Sequence, residues 1–259
     1  MKVSVIIVHW NTPEQVIVQS SKFKVQNDIE IILIDNNSTK ENINKLKSYR
    51  LQDSGYKIIY NDKNLGYAGA CNQGAKIAKW EWLLFLNPDT YIDYSSTLKL
   101  IKNAEEQNLD AVSPAQEGDN YYKPLPTWLS LAVEFSPLRR LIPLSLFNKH
   151  TLFGGCLFIK ASVLKKIGGW DEDFFLWFED SDLTKRLLDN EYKIGWVDVP
   201  HHHEGGISFK RLSEEKQKKI FFSSMNLYAR KHFSLFGQLV VKVVSWWNLK
   251  ATSYRLQES

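Results

Sequence analysis

The chain has 259 residues, 44% of them apolar, which is enough for one large α/β domain with a packed core and excludes disorder as the default state. Its 33 basic and 29 acidic residues leave a formal charge of +4, too balanced for a protein that binds nucleic acid over its whole surface. Two cysteines, Cys71 and Cys156, are too few for a disulfide framework and lack zinc-site spacing, so a reducing cytoplasm is the expected setting.

In chain order, Met1 and Lys2 lead into a β-branched run over residues 3–8, without the long apolar stretch or small-residue cleavage site of a secretion signal. Such a run predicts a strand buried on both faces of a parallel sheet. Thr12, Pro13, Glu14 and Gln15 then read as an N-cap, a proline at the first helical position and a reciprocal capping residue. Residues 29–34 repeat the strand pattern, and Asp35, Asn36, Asn37 and Ser38 break it before a helix with Ser38 and Glu41 as its capping pair. A third strand is expected at 57–60, a helix at 69–79, and a fourth strand at 82–86 that ends at Asn87, Pro88 and Asp89. This alternation predicts a doubly wound parallel sheet over the first 110 residues.

Between residues 118 and 150 the pattern weakens, with Pro124, Pro126, Pro137 and Pro143 scattered among aromatics, which predicts an irregular insertion or short helices beside the site. Regular structure is expected again in an apolar run at 156–159, helices near 162–167 and 180–188, and a strand at 194–199. After His201, His202 and His203 comes a helical tail from 213, dividing the chain into a domain over 1–212 and an extension over 213–259. No run of about 18 uncharged apolar residues occurs, so no spanning helix is expected.

Ligands of open α/β sheets sit outside the carboxyl ends of the strands. Here those ends carry Asn11 and Thr12, residues 35–38, residues 61–66, and residues 87–90. Asp35 suits the base and ribose of a nucleotide, and a metal held by Asp89 suits its diphosphate. The same residues also suit an Asx-turn, a cap or a plain turn, and both readings stand at this point. Further on, Asp171, Glu172, Asp173, Glu179, Asp180 and Asp182 flank the aromatic stretch 174–178. Carboxylates in water-poor surroundings have raised pKa values and suit proton acceptance from a hydroxyl, although one of these acids is also needed to cap the following helix. His203 precedes Gly205 and Gly206, a pattern suited to a metal and a close phosphate, whereas His201 and His202 read as solvated surface.

These pieces together resemble the GT2 family of glycosyltransferases, particularly its bacterial rhamnosyltransferase-like members. The motifs are Asp35-Asn36-Asn37-Ser38, Asn64-Leu65-Gly66-Tyr67-Ala68-Gly69 with Asn72 and Gly74, Leu86-Asn87-Pro88-Asp89, and Gly154-Gly155. They continue in Gly169-Trp170-Asp171-Glu172, Glu179-Asp180-Ser181-Asp182-Leu183 with Arg186, and residues 203–208. The resemblance implies a GT-A fold, that is, an α/β domain with a mixed, mainly parallel central sheet. It implies an inverting transfer from a nucleotide-diphosphate sugar, with dTDP-rhamnose favoured and UDP-hexoses as the alternative, to a saccharide or lipid-linked saccharide. Asp180 becomes the catalytic base, Asp35 the base-binding residue, and Asp89 with His203 the site of a divalent metal, Mg or Mn. Asn87 stands where a strict D-x-D motif has its first acid. Asn11, Thr12, Asn37, Asn64 and Gly66 are expected on the donor side, as are Asn72, Asn87, Gly155 and Arg186; Trp170, Asp171 and Glu179 are expected on the acceptor side.

A dinucleotide-dependent oxidoreductase shares the early βα pattern but needs a G-x-G-x-x-G after the first strand, which is absent. A noncatalytic nucleotide-sugar-binding protein would not need both Asp89 and Asp180. The tail interleaves lysines with Phe221, Phe222, Phe233, Phe236, Trp246 and Trp247, so two arrangements fit it: packing on the domain's own core, or lying in a membrane interface on the cytoplasmic side.

Overall fold

A computed structural model of the protein describes residues 2–22, 28–115, 123–205 and 212–255. Its first half alternates as expected: β1 (Val3–His9), α1 (Pro13–Lys22), β2 (Ile29–Asp35), α2 (Lys40–Ser48), β3 (Lys57–Tyr60), α3 (Gly66–Ile77) and β4 (Trp82–Leu86). β1 pairs in parallel with β2 and β4, and β2 with β3. Every residue of β1, β2 and β4 is buried, which is why these strands read as largely apolar runs, broken inside β1 and β2 only by Ser4 and Glu30, which hydrogen-bond to each other.

The chain continues through β5 (Thr90–Ile92), α4 (Tyr94–Glu106), β6 (Ala111–Ala115), α5 (Trp128–Glu134), β7 (Cys156–Lys160), α6 (Ala161–Lys166), α7 (Glu179–Asp189), β8 (Ile194–Asp198) and β9 (His201–His203). α8 (Glu214–His232) and α9 (Leu235–Arg255) then form the expected helical tail. The central sheet has the order β3-β2-β1-β4-β7-β6-β8. An all-parallel arrangement therefore ends at β7, which runs antiparallel to β4 and β6. The chain reaches β7 beside the carboxyl end of β4, where the Asn87 amide donates to the Gly155 carbonyl at 2.9 Å, so it can pair with β4 only by running back along it.

Two capping expectations are corrected. α2 is capped by Thr39, whose hydroxyl accepts the Asn42 amide, while the Ser38 hydroxyl accepts the Asn11 amide at 2.8 Å and ties the loop after β1 to the loop after β2. α1 begins at Thr12 through its carbonyl, which accepts the Val16 amide; the Thr12 hydroxyl makes no hydrogen bond among the described residues.

Alternate residues of the buried strands feed two cores, Val5, Ile7 and Leu33 on one face of the sheet, Ile6, Ile32 and Phe85 on the other. A third core joins α5 and the loop before α7 to the tail, through Leu131, Phe174, Phe178, Phe222, Met225 and Tyr228. Asp182 strengthens this junction from within α7, with Arg186 on one side and His232 of α8 at 2.7 Å on the other. Burial alone would raise the Asp182 carboxyl, but the His232 and Arg186 contacts outweigh it and hold the group below the ordinary carboxylate range.

Gly66 opens α3 at φ +74°, and a Cβ there would lie 2.6 Å from the Phe175 carbonyl oxygen. That oxygen already accepts the Tyr67 amide at 3.1 Å, so the loop before α7 rests directly on the start of α3. Gly66→Ala is expected to lower stability by about 2 kcal/mol or more, read from the urea midpoint; an unchanged midpoint would count against this close approach.

Candidate active site

A cleft of about 600 Å³ opens at the carboxyl ends of β1, β2 and β4. Asn37, Asn64, Gly66, Asn87 and Gly155 of the expected donor side line it, together with Asp89, His203, Glu179 and Asp180. One rim is built by Asn36, whose amide donates to Asn64 Oδ1 at 2.9 Å and to the Gly66 carbonyl at 3.0 Å. Asn36 Oδ1 accepts the Leu65 amide and the Asn61 side chain, so a single buried residue joins the loops after β2 and β3.

Asp89 follows β4, and β5 starts at the next residue. β5 pairs antiparallel with β9, which sets Thr90 opposite His203, and the Glu204 amide donates to the Asp89 carbonyl at 3.0 Å. His203 Nε2 consequently stands 3.6 Å from Asp89 Oδ1. Two ligands of one divalent ion lie ~3–3.5 Å apart, so this pair fits a shared cation. No group of three metal-donor side chains occurs among the described residues, so diphosphate and water would complete the shell of such an ion. His201 also lines the cleft, whereas His202 is exposed and stacks on Tyr91.

The acidic end of the cleft is built by backbone strain. Trp177 and Phe178 have φ values of 65° and 69°, a left-handed conformation that bulky residues rarely adopt. Their turn starts α7 at the cleft and puts Glu179 and Asp180 in its first turn, where the helix dipole favours carboxylates. Asp180 Oδ1 accepts the Ser181 amide at 2.7 Å and lies 3.6 Å from Lys123 Nζ. Glu179 Oε2 is buried and has no hydrogen-bond partner among the described residues. Burial, and then repulsion by Asp180, push the Glu179 carboxyl up to about 8.

That shift has a sign that can be measured. The folded protein keeps a proton on Glu179 that the unfolded chain releases near 4.5, so stability falls as pH rises from there toward about 8. Glu179→Gln removes the titration. Its melting temperature relative to wild type is expected to climb between these limits, by on the order of 10 °C. A difference independent of pH would show that Glu179 is not the group responsible.

Seven expected site residues lie outside the cleft lining. Asp35 is fully buried, with Oδ2 at 2.9 Å from His9 Nε2 and Oδ1 accepting the Ser38 amide. Burial would raise its carboxyl, but His9 and the Ser38 amide hold it below the ordinary range. Asn11 binds the Thr39 amide and Asn42, and the Thr12 side chain is buried. Asn72 clamps Trp170 through both its amide and its carbonyl, and Trp170 is core, edge-on to Tyr67 and Phe85. Arg186 is committed to Asp182 and to the carbonyls of Ile167 and Gly169. Asp171 pairs with Lys231 of α8. Gly206, Ile207 and Ser208 fall outside the described residues.

The family description "Glycosyl transferase family 2" matches residues 4–168, which is more than half of the chain. The chain belongs to glycosyl transferase family 2. It is a glycosyltransferase with the GT-A fold. A second description, "N-terminal domain of galactosyltransferase", matches residues 146–211. A curated relative in sequence is the low-salt glycan biosynthesis hexosyltransferase Agl10 of Haloferax volcanii, 26% identical over 89% of this chain and 76% of its own. In structure, the mannosyltransferase PcManGT from Pyrobaculum calidifontis, in complex with GDP-Man and Mn²⁺, matches 99% of this chain and 74% of its own with a TM-score of 0.61 at 14% identity. S. aureus TarS residues 1–349 in complex with UDP-GlcNAc match 88% and 66% with a TM-score of 0.54 at 18% identity.

Within this family 2 chain, Asn36 and Lys123 are among the polar cleft residues that were not expected as site residues. Asn36 was legible only as part of a loop motif. Lys123, which also lies 5.3 Å from the centre of the Phe178 ring, belongs to no motif and sits in the irregular insertion.

Proposed function

We propose that the cleft binds a nucleoside-diphosphate sugar and that the enzyme transfers the sugar, with inversion, to a hydroxyl of a saccharide or lipid-linked saccharide in the synthesis of a glycan or cell-surface polysaccharide. The observation that carries this reading is the meeting in one cleft of the Asp89–His203 pair and the Asp180 carboxylate. Asp89 and His203 would hold a divalent cation, which when bound neutralises charge on the diphosphate. Asp180 takes the proton of the acceptor hydroxyl, whose oxygen forms a bond to the anomeric carbon as the bond from that carbon to the diphosphate breaks. Lys123 Nζ, 3.6 Å from Asp180 Oδ1, orients that carboxylate. Residues 1–212 form the transferase domain in this reading, and 213–259 the extension that supports its acceptor side.

For the donor, the resemblance favours dTDP-rhamnose. The relatives' names, a hexosyltransferase and a protein solved with UDP-GlcNAc, favour a second reading, a UDP-hexose or UDP-N-acetylhexosamine. Thermal shifts with UDP, GDP and dTDP and their sugars, with and without Mn or Mg, separate the two, because a ligand of the folded state raises the melting temperature. Release of nucleoside diphosphate on adding acceptor then tests transfer. No shift by any nucleotide would defeat both donor readings.

A further inference from the structure

Fifteen large apolar side chains are exposed among the described residues, and eleven of them lie on two segments, α9 and residues 128–146. On α9, Leu235, Leu239, Val243, Trp246 and Trp247 are each more than half exposed. Their helical spacing places them on one stripe, opposite the buried Val241 and Ser245. This stripe borders the other segment. Phe236 meets Trp128 of α5 edge-on at 5.4 Å, and the Asn248 amide donates to the Phe135 carbonyl at 3.0 Å. Just beyond α5, Leu141 is 79% exposed and follows the exposed Arg139 and Arg140.

Charge on these segments is mainly of one sign. Residues 235–255 contain no Asp or Glu and 128–146 only Glu134, at the end of α5, while together they carry Arg139, Arg140, Lys242, Lys250 and Arg255 in a chain that is otherwise nearly balanced. Exposed apolar area with five basic residues against one acid is complementary to an anionic lipid surface. A second copy of the chain would set these same cations against each other.

We propose that α9 and residues 128–146 together form one face that docks on an anionic lipid surface. The contact is interfacial, since no helix among the described residues is long and apolar enough to cross a membrane. The face is linked to the cleft by aromatic packing: Trp177 lines the cleft and contacts Phe221, which contacts Phe135 at the end of α5. In the reaction proposed above, on which this purpose rests, docking holds the acceptor side of the cleft beside a lipid-linked saccharide.

Co-sedimentation of the full chain with vesicles of phosphatidylcholine and phosphatidylglycerol, against phosphatidylcholine alone, tests the docking without any donor. Binding is expected to require the anionic lipid and to weaken with salt. The partition coefficient should fall at least ~10-fold in the double variant Leu239→Glu, Trp247→Glu and, independently, in Leu141→Glu. All three side chains are exposed, so the melting temperatures and the shifts by nucleoside diphosphates should match wild type. If wild type shows no nucleotide shift but binds vesicles, the transfer reading fails and the docking face stands. The proposal is overturned if the full chain stays in the supernatant, if Leu141→Glu binds as well as wild type, or if sedimentation velocity shows a dimer that these substitutions dissolve.

Discussion

Asp180→Asn is expected to keep nucleoside-diphosphate affinity and to lose turnover by about 100-fold or more. The asparagine side-chain oxygen can still accept the Ser181 amide, so the start of α7 survives and only the proton acceptor is removed. Initial rates and calorimetric nucleotide affinities on the same preparation separate chemistry from binding. Glu179 is the rival base, being the adjacent residue on the same helix turn. Burial, and then repulsion by Asp180, push its carboxyl up and favour its protonated form, which makes it the poorer proton acceptor of the two. Normal turnover by Asp180→Asn with loss in Glu179→Gln would reverse the assignment.

Asp89→Ala and His203→Ala are each expected to reduce metal-stimulated transfer on the order of 100-fold. The double variant should lose little more than the worse single one, because two ligands of one ion act as a unit. Rates across Mn and Mg titrations provide the cycle. Losses that multiply would mean that the two residues act separately, and unchanged metal dependence in Asp89→Ala would remove that residue from the site. The backbone pairing of β5 with β9 does not depend on either side chain, so both variants should retain the fold.

Much of this protein was written locally. β1, β2, β4 and β7 are mostly apolar because both faces of the sheet are covered, with Ser4 and Glu30 hydrogen-bonded to each other as the exceptions inside β1 and β2. The residues following β2 and β4 also stood out, because Asn, Pro and Asp directly after a buried strand mark a turn at the sheet end where ligands of such folds bind. Other elements carry no such mark. β6 is Ala-Val-Ser-Pro-Ala, with a proline that a central strand rarely holds; its pairing with β7 stops at Val112, before Pro114.

By itself, the sequence determined the early parallel strands, the strand-end loops that carry Asn37, Asn64 and Asp89, and the carboxylates at the head of α7. Local composition suffices for these because each depends on the burial or turn preference of neighbouring residues. Tertiary structure alone decided which polar groups face the cleft and which are consumed in holding it together. Asp35 and Asp180 are both acids near the end or start of an element, yet one is sealed against His9 and the other opens on the cleft beside Lys123. His203 stands 3.6 Å from Asp89 because a three-residue strand pairs Thr90 with His203, 113 positions away in sequence, and three histidines have no strand pattern to announce it. Hydrogen bonds and ion pairs are set by which partner arrives, and that partner is supplied by the packing of distant elements.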